Sequence, residues 1–417
     1  MKKIISTFLV ALTFTGFAKE KKQPNIIVIL SDDAGYADFS YTGTKQIKTP
    51  NIDSIANSGV KFTNAYVSAS VCSPSRAGFL TGRYQQRFGH EYNLGGYVKG
   101  DDKNFAGMAV EEETIGDQLK KVGYKTAAFG KWHLGHADKF HPNNRGFDYF
   151  YGFRAGGHSY FNTRGVEEQM KKVPYRDDIY MTELLTDKAC DYIKKQKQAK
   201  PFFIYLAYNA PHTPLHAKKD DLAELAHLKG KKRRATLAMT VSLDREVGKV
   251  LKTLKEQGIH DDTMLVFFND NGGQCQTNHA NNAPYNGMKG TFLDGGIRVP
   301  FAIQWPNGLK AKKSYSKMIS SLDLLPTFLA AAGASTTEQI HKKRPLDGVN
   351  LLPYLAGEKT GDVHKTLYWR RAKASALRDG DWKLIRLIDR PTMLFNLKED
   401  PSEQNDLAMK YPAKVKL

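Results

Sequence analysis

The sequence predicts an α/β fold: a large mixed, mostly parallel sheet sandwiched between helices, with a small antiparallel sheet at the C-terminus. Three observations carry this. Near-continuous apolar runs of strand length recur along the chain, and each ends abruptly in a polar cluster, as strands buried on both faces of a parallel sheet do. Helical patterns lie between these runs, so the alternation makes βαβ units. The tail changes to short segments joined by tight turns, the mark of an antiparallel meander.

Taken in order, Lys2 and Lys3 precede the apolar run Ile4 to Phe17, which closes on small residues around Gly16 and Ala18. That is a secretory leader, too short to span a bilayer, and residues 1–18 are expected to be removed as a signal peptide. The charged Lys19-Glu20-Lys21-Lys22 follows at once, and no cysteine stands nearby to carry a lipid anchor. The expected destination is the periplasm or the exterior.

Ile26 to Leu30 then runs into Ser31-Asp32-Asp33-Ala34-Gly35, and Ser73-Pro74-Ser75 opens a helix at Arg76 to Leu80. Lys125 to Phe129 runs into Gly130-Lys131-Trp132-His133, with helical patterns at Asp177 to Lys197 and Arg233 to Gln257. Between those helices Phe202 to Ala207 runs into Asn209-Ala210-Pro211-His212, and beyond them Met264 to Phe268 runs into Asn269-Asp270-Asn271-Gly272-Gly273. Ligands of such sheets bind beyond the carboxyl ends of the strands, so these clusters should converge on one rim. The tail reads as a hairpin, Ser375 to Arg378 and Trp382 to Arg386 about the turn Asp379-Gly380, with a third strand at Met393 to Asn396. It is expected to pack against the main sheet as a subdomain of residues 363–417 beside a catalytic body of residues 19–362.

The apolar fraction of 41% supplies a full core, which excludes disorder as the ground state. Lys and Arg number 62 against 43 Asp and Glu, a formal charge of +19, and the leader takes only Lys2 and Lys3 from that excess. In an exported protein this favours an acidic substrate or surface over nucleic acid. Lys231-Lys232-Arg233-Arg234 reads either as a polyanion patch or as a solvated helix face. The three cysteines Cys72, Cys190 and Cys275 leave at least one unpaired.

Asp32, Asp33, Asp270 and Asn271 bring oxygen ligands from two strand ends distant in sequence. Carboxylates crowded on one rim repel unless a cation sits among them, and oxygen-only ligation selects calcium or magnesium, calcium the better fit. Each loop alone also reads as a turn and helix cap. Lys131, His133, His212, Lys289 and Arg298 place cations and proton carriers on the same loops, which suits transfer of an anionic oxyacid group. Cys72 stays open on these grounds: zinc would need more soft ligands, and a thiolate nucleophile at a helix start fits locally but leaves the metal unexplained.

Cys72-Ser73-Pro74-Ser75-Arg76 followed by Leu80-Thr81-Gly82-Arg83 resembles the signature of the type I sulfatases, whose cysteine is oxidised after synthesis to formylglycine (3-oxoalanine). The segments SDDAGYADFSYTG, TPNIDSIANSGVKFTNAY, GKWHLG, APHTP, NDNGG, MKGTFLDGGIRVP and LFNLKEDPSEQNDLA are similar to that family in the same order along most of the chain. The resemblance implies an alkaline-phosphatase-like fold. It implies calcium at Asp32, Asp33, Asp270 and Asn271 with the modified Cys72 completing the site, and a formylglycine-generating maturation enzyme as a partner. It further implies that Arg76 holds the modified side chain, that Lys131, Lys289 and His212 grip the sulfate, that His212 protonates the leaving alcohol and that His133 acts as base. An aldehyde hydrate carries two hydroxyls on one carbon: one attacks sulfur, and deprotonation of the other expels sulfate.

Two positions depart from the family pattern, Asp294 where many relatives carry Glu and Asn269 where Ser is common, and both bear on pocket detail. The sequence ends on KYPAKVKL, where the resemblance implies a further helix. The charge favours a sulfated polysaccharide, with His90, His158 and Arg298 as expected substrate contacts. A phosphodiesterase or phosphonate hydrolase of the same superfamily, and a non-catalytic polysaccharide-binding protein, are the alternatives.

Overall fold

The computed structural model describes residues 22–95, 106–196, 200–334 and 344–416. The expected signal peptide lies outside them. Asn25–Ser31 is the central strand of the main sheet and explains its construction: Ile26, Val28 and Leu30 face one apolar core and Ile27 and Ile29 the other, all at most 1% exposed. Two-faced burial requires the uninterrupted apolar run.

The sheet has ten strands, in the spatial order Lys312–Tyr315, Val60–Phe62, Phe301–Gln304, Thr263–Asn269, Asn25–Ser31, Phe202–Ala207, Lys125–Lys131, Tyr149–Phe153, Glu167–Glu168 and Lys171–Lys172. The five from Thr263–Asn269 to Tyr149–Phe153 are all parallel, so their carboxyl ends share one edge. Antiparallel strands flank them on both sides. The helices Met181–Lys195 and Lys231–Glu256 cover one face, each slightly shorter at its C-terminus than its sequence pattern. Lys231 and Lys232 are exposed at the start of the second, whereas Arg233 is tied to Asp38 and Gln46, so the basic run is not a uniform free patch.

The helix at Cys72 begins earlier than expected. It spans Cys72–Thr81, with Val71 as N-cap, and Ser73-Pro74-Ser75 lies within it. Proline is tolerated in a first turn because its missing N–H would have no intrahelical partner there. All ten residues are buried, so packing rather than a polar cap defines this helix.

The C-terminal sheet has four strands, Thr366–Arg371, Ala374–Asp379, Trp382–Arg386 and Met393–Asn396, all antiparallel. Asp379 pairs with Trp382, which moves the turn one residue to Gly380-Asp381, with Gly380 supplying the positive φ of 56°. Among the described residues, the apolar face of this sheet meets a surface other than the main sheet. Leu367, Trp369, Ala376, Ile385 and Phe395 cover Tyr66, Phe292, Ile297 and Met318, around a two-stranded sheet of Ala65–Tyr66 and Ile319–Ser320. Trp369 Nε1 donates to Val67 O at 2.7 Å across that contact.

Candidate active site

Four strand ends deliver the site. Asp32 and Asp33 follow Asn25–Ser31, Asp270 and Asn271 follow Thr263–Asn269, Lys131 ends Lys125–Lys131, and His212 lies on the loop after Phe202–Ala207. Asn269 joins the first two, donating to Ala34 O at 2.7 Å and bonding Ser31. It is a brace between strand ends rather than a pocket residue. The helix Cys72–Thr81 enters the same rim from below and carries Cys72 and Arg76.

Asp32, Asp33, Asp270, Arg76 and Lys131 are at most 3% exposed. Arg76 donates to Asp270 through Nε at 3.0 Å and Nη2 at 2.8 Å, to Asp32 at 3.3 Å, to Lys131 O at 2.9 Å and to the Tyr205 hydroxyl at 3.2 Å. These bonds use all five guanidinium hydrogens. Arg76 therefore fixes the carboxylates, and none of these bonds goes to the Cys72 side chain. Lys131 Nζ bonds Asp32 and Lys289 Nζ lies 2.8 Å from Asp33.

The ligand atoms of Asp32, Asp33, Cys72 and His212 lie within 4.8 Å of one another. Cys72 Sγ is 3.5 Å from Asp32 Oδ1, and Asn271 Nδ2 donates to Asp33 at 2.8 Å, which turns the Asn271 carbonyl the other way. Asp270 Oδ1 and Asn271 Oδ1 are buried acceptors without a partner. Orphaned oxygens of this kind are costly unless a donor or cation meets them. The residues therefore fit a hard cation. Three carboxylates face three cations here, so a divalent ion would leave a positive balance suited to an anion.

Burial raises the Asp32 carboxyl, but Lys131, His212, Arg76 and Lys289 outweigh it and hold it well below the ordinary range. The Cys72 thiol moves the other way, pushed up by burial and then by the charges of Asp270 and Asp32. So placed, the thiol holds its proton more tightly than a free cysteine, which weighs against the thiolate-nucleophile reading.

His133 is buried at φ 58° and Asp33 at φ 62°, both left-handed and both at the site. Such strain costs of order 1–3 kcal/mol at each position and gathers at functional centres. His133 Nε2 donates to Leu94 O at 3.1 Å, and its buried Nδ1 has no partner. Burial and then the Lys131 charge hold its pKa well below 6.5, so a neutral ring offers Nδ1 as a base. A Cβ at Gly156 would lie 2.5 Å from His133 Nε2, so only glycine allows this approach. His212 donates from Nδ1 to Thr213 O at 2.6 Å and turns Nε2 toward Asp33 at 3.5 Å.

Above these residues opens a cavity of about 970 Å³, lined by Cys72, His133, His158 and His212. Of the expected substrate contacts only His158 lines it. His90 is buried, 2.7 Å from Ser73 Oγ, whose hydrogen goes to His133 O at 2.6 Å; it supports the catalytic helix from behind. Arg298 is held by Thr63 O and by Asp294 at 3.2 Å and lies against Tyr285. Asp294 also leaves the pocket, bonded to Tyr66 at 2.7 Å and Lys383 at 2.7 Å. Sequence reasoning missed Asn93, Leu94, Arg154 and Arg164 of the cavity wall, because loop polarity alone does not tell which side chain faces inward. All three cysteines are free.

Residues 24–334 match the sulfatase family, and residues 288–415 match the C-terminal region of N-sulphoglucosamine sulphohydrolase. The uncharacterised sulfatase YdeN of Escherichia coli K12 is 33% identical over 400 residues, covering 84% of this chain and 69% of that one. Human N-acetylgalactosamine-6-sulfatase is 32% identical over 365 residues, covering 82% and 67%. The crystal structure of Ps i-CgsB, 38% identical, superposes with a TM-score of 0.87 over 94% of this chain and 90% of that one, and that protein has also been crystallised with k-i-k-neocarrahexaose. The architecture is the alkaline-phosphatase-like sandwich these structures share. With the signature cysteine set on a rim of carboxylates and cations, the chain belongs to the sulfatase family, as a type I sulfatase that hydrolyses sulfuric esters.

Proposed function

We propose that this enzyme removes sulfate from a sulfated polysaccharide or its oligosaccharides, with residue 72 converted to formylglycine and calcium held by Asp32, Asp33, Asp270 and Asn271. The observation that carries the reading is the ring of three carboxylates and three cations around Cys72, all but Lys289 buried, set at the foot of a cavity with room for sugar as well as sulfate. The two orphaned oxygens support a metal, and an all-oxygen set with an amide carbonyl favours calcium over magnesium.

Formylglycine hydrate supplies an oxygen nucleophile and a second hydroxyl whose deprotonation frees the product; calcium supplies positive charge that makes such hydroxyls more acidic. The chain's own residues do the rest. Lys131 and Lys289 neutralise the sulfate oxygens as charge gathers on them. Arg76 keeps Asp32 and Asp270 in place through its bidentate bond. His212, with Nδ1 committed to Thr213 O, presents Nε2 to protonate the leaving sugar oxygen. His133 Nδ1, held neutral by burial, accepts the proton of the second hydroxyl.

The same proposal includes a signal peptide at 1–18 with export to the periplasm or beyond, a catalytic domain at 19–362, a C-terminal subdomain at 363–417 and a maturation enzyme acting on Cys72. Among the described residues no helix is long and apolar enough to cross a membrane. The test is release of sulfate from defined algal and animal sulfated oligosaccharides by purified matured enzyme, beside a phosphodiester substrate. Desulfation of an oligosaccharide is expected; faster phosphodiester turnover would overturn the reading.

A further inference from the structure

The cavity above Cys72 reaches the top of the range of about 300–1,000 Å³ that encloses drug-sized ligands. A single sulfated sugar would leave much of it unfilled. Its outer wall is built by the segment that follows Tyr149–Phe153 and returns through the short strands Glu167–Glu168 and Lys171–Lys172.

The charges on that wall are unequally satisfied. Arg154 is committed, with Nε and Nη2 each 2.9 Å from Glu167 and Nη1 2.9 Å from Asp138. Glu167 is occupied in turn by Arg154 and by His141 at 3.4 Å. Arg164 and Lys172 also line the cavity and are exposed, and neither has a carboxylate partner among the described residues. Lys172 sits opposite Glu167 in the strand register without pairing with it.

Arg164 stands on a fixed support. The His158 ring stands between Ser159 O, 2.5 Å from Nδ1, and Arg164 O, 2.8 Å from Nε2, and stacks on Phe153 at 4.6 Å, and the Arg164 amide donates to Asn162 Oδ1 at 3.1 Å. Its guanidinium lies 5.8 Å from the Tyr175 ring, which orients the group without neutralising it. Two uncompensated cations over a cleft focus potential on an anion that reaches them.

We propose that Arg164 and Lys172 form a second anion subsite, so that the preferred substrate carries another sulfate or a carboxylate on the sugar next to the ester that is cleaved. The proposal rests on the carbohydrate-sulfatase reading above. It separates this enzyme's choice of substrate from the chemistry at residue 72, because neither cation touches the reacting group.

The experiment uses the full matured enzyme and three disaccharides that share the cleaved sulfate ester. One has a neutral neighbouring sugar, one a second sulfate and one a carboxylate there. The expected result is kcat/KM at least about tenfold higher for one or both anionic substrates than for the neutral one, mainly through KM. In Arg164→Ala/Lys172→Ala that ratio should fall close to one, whereas Arg164→Lys should keep most of it. Lys172→Gln, on an exposed two-residue strand, provides the same readout if the double variant folds poorly. Equal kcat/KM for all three substrates, or a preference that survives in the variants, overturns the subsite. Failure to release sulfate from any of them overturns the sulfatase reading and the subsite with it.

Discussion

At the scale of single residues, two buried histidines from no common motif, His90 and His133, illustrate how surroundings decide role. His133 keeps an unpartnered nitrogen in the catalytic cavity, whereas His90, 4% exposed, serves Ser73 behind it. Burial lowers the His90 pKa to about 4, so the folded protein resists its protonation while the unfolded chain accepts it near 6.5. Stability from this group is complete above pH 6.5 and is lost as pH falls toward 4, by about 3 kcal/mol. His90→Gln should therefore flatten the pH dependence of unfolding over that window, read by urea titration at several pH values; parallel curves would refute it. His212→Asn should lower kcat by about 10²–10⁴ on a sugar sulfate, and by much less on an aryl sulfate, whose leaving group needs no proton. Equal losses on both substrates would remove His212 as the acid.

Among the elements, those that bear the site were legible because their strands are buried on both faces, which forces apolar runs with sharp polar ends. Asp32, Asp33, Asp270, Asn271, Lys131 and His212 stand where that pattern put them. The helix at Cys72 was misplaced because it is buried all round, leaving no polar face to mark its start. The strand Thr366–Arg371 was missed because Arg370 and Arg371 break its apolar signal, although burial alternates along it. Arg298, expected in the pocket, instead belongs to a buried polar cluster with Asp294 and Tyr66 that no local pattern announces. That cluster joins the C-terminal sheet to the segment carrying Lys289: Lys383 lies 2.7 Å from Asp294 and 2.8 Å from Glu403, fully buried. Lys383→Met leaves Glu403 without its cation and Asp294 with Arg298 alone, and should cost about 3–5 kcal/mol, seen as a lower urea midpoint. An unchanged midpoint would show that the sheet is held by its apolar face alone.

For the whole molecule, the fold brings carboxylates from two distant segments to one edge and uses three cations to hold them there, a balance that awaits a metal and an anion. Calcium should stabilise the protein against unfolding by about 2.7 kcal/mol at a concentration a hundredfold above its Kd. Asp270→Ala should abolish that gain, and a chelator should reverse it in the parent. The central claim is that residue 72 acts as formylglycine and not as a thiol. The most direct test digests preparations matured to different extents, measures by mass spectrometry the fraction of Cys72 converted, and compares it with sulfate-releasing activity. Activity should rise in proportion to the converted fraction and vanish with it; full activity in a preparation whose Cys72 is wholly thiol would contradict the account.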